Sequence, residues 1–248
     1  MQSASVCAMN VNSYGSGLIM GMFYLWLTLG ITVFVLLVIY ALFINRGTKW
    51  NKFWLNVIDG LIRYFVRYYH RAKLQSIPLP KQGAVLVVSN HISGLDPLLL
   101  IAASPRPLRF IIAHEQYDRL YLKWLFRYAN AIRVNRHLHP ERAVRSALKA
   151  LKKGEVVVVF PHGKIILDSE PAQKIKHGVI KLSEWTGAPI YPCRIDGVKG
   201  QGEIMQALVK RGQPRLMVAA PVICRKETEQ SCEEYLLRIM QNRSYNMD

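Results

Sequence analysis

The chain has 248 residues, carries 33 Lys plus Arg against 16 Asp plus Glu for a formal net charge of +17, and is 51% apolar. That apolar fraction excludes disorder as the main state. Residues 1–45 contain no Asp, Glu, Lys or Arg, and the roughly 200 that follow are enough for one domain with a core that needs no staple.

Residues 18–44 form an uncharged run of 27, longer than the ~20 residues a helix needs to cross the hydrocarbon core of a bilayer. The basic residues follow the run, at Arg46, Lys49 and Lys52, whereas a secretory signal has them in front. The positive-inside rule then predicts a single-pass membrane protein with residues 1–17 outside and the rest on the cytoplasmic face, which is the bacterial inner membrane if the source is bacterial.

In residues 50–74 the apolar positions 50, 53, 54, 57, 58, 61, 62, 65, 66 and 69 keep a helical period, with Lys52, Asp59, Arg63, Arg67 and Arg71 on the opposite face. The apolar stripe is rich in Trp, Phe and Tyr, the residues of the headgroup boundary. Residues 46–81 hold eight basic residues and one acidic, which suits the anionic cytoplasmic leaflet. An interfacial amphipathic helix is the first reading; a helix packed on the domain with a solvated polar face is the second. The organisation expected is therefore residues 1–45 with the span, 46–82 as interfacial helix and linker, and 83–248 as the main domain.

After the Pro-flanked break at residues 77–80, short apolar runs alternate with helical stretches, an α/β pattern. Strands are predicted at 84–89, 108–112, 131–134, 155–160, 189–195 and 215–221, and helices near 97–103, 117–128, 140–153, 174–185 and 229–242. Runs such as VVVVF, apolar on both faces, suit a mostly parallel sheet covered by helices on both sides. The stripe of Tyr117, Tyr121, Trp124 and Tyr128 reads as core packing, with an acyl-chain groove as the alternative. The four cysteines, Cys7, Cys193, Cys224 and Cys232, are scattered without a CxxC pair or nearby histidines, so they read as unpaired, buried bystanders and no metal is implied.

Open α/β sheets place their sites at strand ends, and the first strand runs into Asn90-His-Ile-Ser-Gly-Leu-Asp96-Pro97. Fully extended, His91 and Asp96 would be ~16–18 Å apart; Ser93 and Gly94 supply a turn that shortens this. Asp96 followed by Pro97 reads as an N-cap and first helical residue. A carboxylate on one imidazole nitrogen leaves the other free to take a proton, as a general base must; the plain alternative is a cap beside a loop histidine. His70, His114, His137, His139 and His177 lack such a partner and read as surface or satisfied histidines.

The NHISGLDP segment resembles the H-x4-D block of the glycerolipid acyltransferases, the lysophosphatidate acyltransferase family. Three further stretches follow in the family's order. Residues 130–136, NAIRVNR, are similar to a block that ends in Asp-Arg, with Arg136 matching the final Arg and Asn130 and Asn135 replacing Gly and Asp. Residues 160–164, FPHGK, stand where F-P-E-G-T-R is expected, and Lys176, His177 and Gly178, followed by a helix and Pro189-Ile-Tyr-Pro192, resemble the fourth.

The resemblance implies a mixed, mostly parallel α/β domain that moves a fatty acyl group from acyl-CoA or acyl carrier protein to a lysoglycerolipid hydroxyl. The most favoured acceptor is 1-acyl-sn-glycerol-3-phosphate, and no bound cofactor is involved. His91 would be the general base and Asp96 its orienting partner. Asn90, Ser93, Arg136, Phe160, Pro161, His162, Gly163, Lys164 and Lys176 would form the substrate site, and the backbone amides of 162–164 would face the oxyanion. No G-x-S-x-G nucleophile elbow is present, so no acyl-enzyme is expected. The third block departs from the family: His162, Lys164 and Ile165 replace Glu, Thr and Arg, and the lost Arg is the residue best suited to a phosphate. That keeps two alternatives open, a different acceptor such as lyso-ornithine lipid or a lysophospholipid, and a non-catalytic lipid-binding relative. The charge alone would fit nucleic acid, but no nucleic-acid motif accompanies it.

Overall fold

A computed structural model describes residues 3–44, 48–118, 120–135, 138, 140–167, 170 and 173–241. The first element, α1 (Ser3–Ile44), contains the stretch Ile19–Ala41, which is long and apolar enough to cross a bilayer. At ~1.5 Å per residue its 23 residues reach about 35 Å. Within that stretch only Ala41 is buried. It is buried because α2 (Phe53–Tyr64) turns back along the end of α1 and presents Gly60 to it. A Cβ at Gly60 would lie 1.8 Å from the Ala41 carbonyl oxygen, so the two backbones meet where only glycine fits. Tyr40 packs edge-on against Tyr64, centroids 5.7 Å apart, one turn farther on.

The helical pattern expected over 50–74 stops short. After α2 comes a π-helical turn, Phe65–Tyr69, and Arg71, at φ +51°, turns the chain into a strand, β1 (Lys73–Leu74). The polar face is also not uniformly solvated. Asp59 is 2% exposed, and its carboxylate accepts from Arg63 Nε at 2.5 Å and Trp50 Nε1 at 2.7 Å. Arg63 also donates to the carbonyls of Ile101, Ala102 and Ser104 at 2.7–3.0 Å. These belong to the C-terminal end of α3 (Asp96–Ala103), where carbonyls have no intrahelical donor and a cation opposes the dipole. The pair is thus the joint between α2 and the domain, while Phe53, Trp54, Leu61, Tyr64 and Tyr68 remain exposed. The helix is thus packed on the domain through one face and leaves an aromatic face exposed.

The sheet has seven strands in the order β1-β7-β6-β2-β5-β3-β4. From β6 to the β4 edge it is parallel: β2 (Val85–Ser89), β3 (Leu108–Ala113), β4 (Ile132–Val134), β5 (Val156–Val159) and β6 (Ile190–Asp196). The last strand, β7 (Arg215–Val218), runs antiparallel to β6, and β1 pairs with it in parallel. All six predicted strands form; β1, two residues long, carries no periodicity to detect. Alternation splits the core into two layers. Val85 and Val87 join α3 and Val66 on one face, while Leu86 and Val88 meet α6 (Pro140–Lys152), α7 (Gly178–Thr186) and α9 (Glu229–Gln241) on the other.

Three further differences have local causes. The helix expected over 117–128 is broken at Asp118 into α4 (His114–Tyr117) and α5 (Leu120–Tyr128). On α5, Trp124 and Tyr128 are exposed, so the aromatic stripe is not core; the side chain of Tyr121 lies outside the described residues. A short helix, α8 (Ile204–Val209), was missed because six residues hold less than two turns of pattern. Cys224 and Cys232 are not bystanders: α9 lays its buried face over the chain after β7, and the two are joined as a disulfide with Cα atoms 5.8 Å apart. Cys193 is free and buried, and desolvation pushes its thiol up to about 12.

Candidate active site

The parallel strands end on one rim. Val88 is paired with Val159 and Phe110 with Val158, so the chain leaves β2, β3 and β5 side by side, at His91, His114 and Phe160. The side chain of Asn90 locks the first exit in place: its Oδ1 accepts from Ile195 N at 2.7 Å and its Nδ2 donates to Ile195 O at 2.8 Å. The loop that follows is tied to its neighbours by Ile166 N to His91 O, 2.8 Å, and Gly202 N to Ile92 O, 2.9 Å.

Within this loop the turn at Ser93 and Gly94 brings His91 and Asp96 together, with Nδ1 and Oδ2 2.8 Å apart. The carboxylate also accepts from the Ile92 and Ser93 amides, at 2.7 and 2.9 Å, and from Ser93 Oγ at 2.6 Å. Asp96 is therefore not the N-cap expected. It is the first helical residue of α3, and its side chain turns back into the loop instead of onto the helix amides. Four donors on one fully buried carboxylate leave it little freedom. A carboxylate oxygen accepts, so the proton on His91 sits at Nδ1, and Nε2 has no partner among the described residues. The His91 side chain is 21% exposed, enough for a substrate to reach. Its ring lies flat on Phe160, centroids 4.2 Å apart, with Phe110 behind.

Phe160 opens the second exit. Gly163, at φ +73°, closes a turn by donating its amide to Phe160 O at 2.9 Å. That amide is spent, so of the three expected at the oxyanion only those of His162 and Lys164 have no partner among the described residues. His162 Nε2 donates to Gln173 O at 3.0 Å, Pro161 is buried and Lys164 is exposed. Lys176 donates its amide to Pro161 O at 3.3 Å, and its ammonium lies over Gly163, 2.9 Å from where a Cβ would stand. Sequence spacing gave no sign of this last contact. Asn90 and Ser93, assigned above to substrate, have their polar atoms engaged inside the protein and act by holding the loop. Arg136, His137 and His139 lie outside the described residues. His114 Nδ1 is 3.3 Å from Glu115, His177 is paired with Glu229 at 3.3 Å, and His70 is fully buried.

The stretch holding all these rim residues up to β6 is also the stretch that known proteins share. The family model described as Acyltransferase matches residues 71–196, 126 of the 248. The chain belongs to the acyltransferase family.

The acyltransferase is 22% identical over 174 residues to the 1-acyl-sn-glycerol-3-phosphate acyltransferase of Bacillus subtilis, covering 69% of this chain and 81% of that one. It is 34% identical over 142 residues to the "Probable 1-acyl-sn-glycerol-3-phosphate acyltransferase" of Mycoplasma pneumoniae, 53% of this chain and 51% of the relative, so it spans about half the length of that protein. Its fold matches the crystal structure of the 1-acyl-sn-glycerophosphate (LPA) acyltransferase PlsC from Thermotoga maritima. The TM-score is 0.57, at 23% identity over 84% of this chain and 90% of the other. The mixed, mostly parallel α/β architecture expected from the sequence is thus shared with a solved acyltransferase.

Proposed function

We propose that this acyltransferase is membrane-bound and acylates the free hydroxyl of 1-acyl-sn-glycerol-3-phosphate, using acyl-CoA or acyl carrier protein as donor, to give phosphatidate. The hydrogen bond from His91 Nδ1 to Asp96 carries this reading. With that nitrogen engaged, Nε2 takes the hydroxyl proton as the oxygen attacks the thioester carbonyl. The C–S bond then breaks, and the imidazolium returns its proton to the departing thiolate. Asp96 orients the ring and favours its charged form. A positioned base contributes ~100- to 10,000-fold, and the amides of His162 and Lys164 are the donors proposed for the oxyanion. Lys164 and Lys176 supply the positive charge for the acceptor phosphate. They are point charges where the family has a planar guanidinium, so the geometric selection of a phosphate is weaker. The bilayer of residence is proposed to be anionic on the side of the domain, with α1 as the span and the N-terminus on the far side.

The departure at Ile165 favours a second acceptor class, a lysolipid with another headgroup. The test is acyl transfer from labelled acyl-CoA and acyl carrier protein in mixed micelles, with wild type and His91→Ala, over a panel of lysolipids. Turnover on lysophosphatidate that is lost in His91→Ala supports the main reading. Turnover on another lysolipid alone reassigns the acceptor, and undiminished turnover in His91→Ala overturns the base assignment.

A further inference from the structure

The exposed apolar surface does not end with α2. Its aromatic residues form a ladder: Tyr40, at the end of the apolar stretch of α1, meets Tyr64, which lies 4.8 Å from Tyr68, and Phe65 stacks on Tyr69 at 5.1 Å. Tyr69 then reaches α8, its hydroxyl donating to Val209 O at 2.6 Å, while His70 Nε2 donates to Leu208 O at 3.2 Å. On α8, Met205 and Val209 are four residues apart, on one face, and 63% and 67% exposed. Two exposed cations, Lys210 and Arg211, follow Val209 directly, the second 6.0 Å from the Tyr69 ring; Glu203 precedes the helix.

We infer that α8 is a second membrane-docking element of this acyltransferase, placing Met205 and Val209 at the headgroup boundary and Lys210 and Arg211 among anionic headgroups. The inference rests on the membrane-bound reading above. A bilayer is the occupant because the patch continues the surface that begins at the apolar stretch of α1, and because cations flank its apolar residues, the pattern of an interfacial element. The placement bears on catalysis. The start of α8 seats directly on the loop that carries His91 and Asp96: Gly94 N donates to Glu203 O at 3.4 Å, and a Cβ at Gly94 would meet Ile204 O at 2.6 Å. Docking α8 therefore holds that loop against the surface from which a lysolipid arrives.

The test uses the full chain in lipid nanodiscs, with Cys7→Ser and an environment-sensitive fluorophore on Val209→Cys; a label on Lys152→Cys of α6 is the aqueous control. In nanodiscs containing phosphatidylglycerol the 209 label should move to an apolar environment and be quenched by lipid-borne nitroxide. Lys210→Glu with Arg211→Glu should weaken that docking about tenfold or more, while the 152 label stays aqueous. In separate unlabelled protein, Met205→Ser with Val209→Ser should raise KM for lysolipid presented in nanodiscs and leave kcat unchanged. An aqueous 209 label in incorporated protein overturns the α8 inference alone. Apolar burial of 209 that appears equally in detergent and tracks dimer formation assigns the patch to a second copy and overturns it too. Protein that fails to enter nanodiscs overturns the membrane-bound reading itself.

Discussion

The imidazole of His91 lies face to face on the ring of Phe160, the two planes 17° from parallel and the centroids 4.2 Å apart. Asp96 fixes one edge of the imidazole, and Phe160 fixes its tilt. An aromatic pair of this kind is worth ~0.5–1.5 kcal/mol. Phe160→Leu, which keeps an apolar neighbour, should therefore lower kcat by up to about tenfold, since each 1.36 kcal/mol is a factor of ten in rate. A variant with wild-type kcat would show that Phe160 does not position the base.

Asp96→Asn separates charge from geometry. The amide oxygen can keep the bonds from His91, Ile92 and Ser93 while its NH2 donates to Ser93 Oγ, so the loop should stay folded. The imidazolium loses its counter-charge, and kcat should fall by about 100-fold or more, within the range of general base effects, with KM little changed. Steady-state kinetics beside a thermal melt would show whether activity fails before the fold does.

Arg63→Ala should be among the most destabilising single changes in the domain. It leaves Asp59 buried without its cation and strips donors from three carbonyls at the end of α3. Removing one partner of a buried pair costs about 3–5 kcal/mol. Asp59→Asn should cost less, because burial already pushes the Asp59 carboxyl above its ordinary range against the opposing pull of Arg63 and Trp50. Urea unfolding of both variants would rank them; equal losses would contradict this account.

Gly60→Ala should loosen the hairpin of α1 and α2, since the new methyl meets a backbone carbonyl that cannot rotate aside. Overpacking of this kind costs about 1–3 kcal/mol. Gly21→Ala, where the added carbon meets nothing within 4 Å, is the matched control. Thermal unfolding in detergent should fall for the first and not for the second.

His70 should make stability depend on pH. Its Nε2 is bonded to Leu208, its Nδ1 is buried without a partner, and burial pushes its pKa below the ordinary 6.5. The unfolded chain then takes up the proton first, so this contribution is complete above pH 6.5 and is lost as the pH falls toward the folded-state value. Unfolding free energies between pH 7.5 and 5 should decline for wild type, and less for His70→Gln, which does not titrate.

Much of this site is legible in the sequence because it is built from short separations. His91 and Asp96 are five residues apart in one turn, and the strands before His91 and Phe160 declare themselves by runs of Val and Leu. The contacts that escape such reading join distant segments: Asn90 with Ile195, Gly163 with Lys176, Gly94 with Ile204. A single sequence has no period that links them. Asp59 and Arg63 show the same limit, since a helical wheel sorts polar from apolar residues and does not know that the polar face will meet bare carbonyls. The contact of Asp96 with His91 is legible from the turn between them, whereas the helix cap that Asp before Pro also signals does not form, because the buried loop amides compete better for the carboxylate.

The parallel strands that end on one rim separate two kinds of change. Val156, Val157 and Val158 are apolar and sealed between layers, while His162, Lys164 and Ile165, just beyond them, stand outside the core. Side chains of that turn can therefore be exchanged one at a time, leaving the His91–Asp96 pair in the loop after β2 untouched. On the proposed reading, in which this turn meets the acceptor, headgroup preference should be transplantable between relatives by swapping that turn together with the segment bearing Lys176.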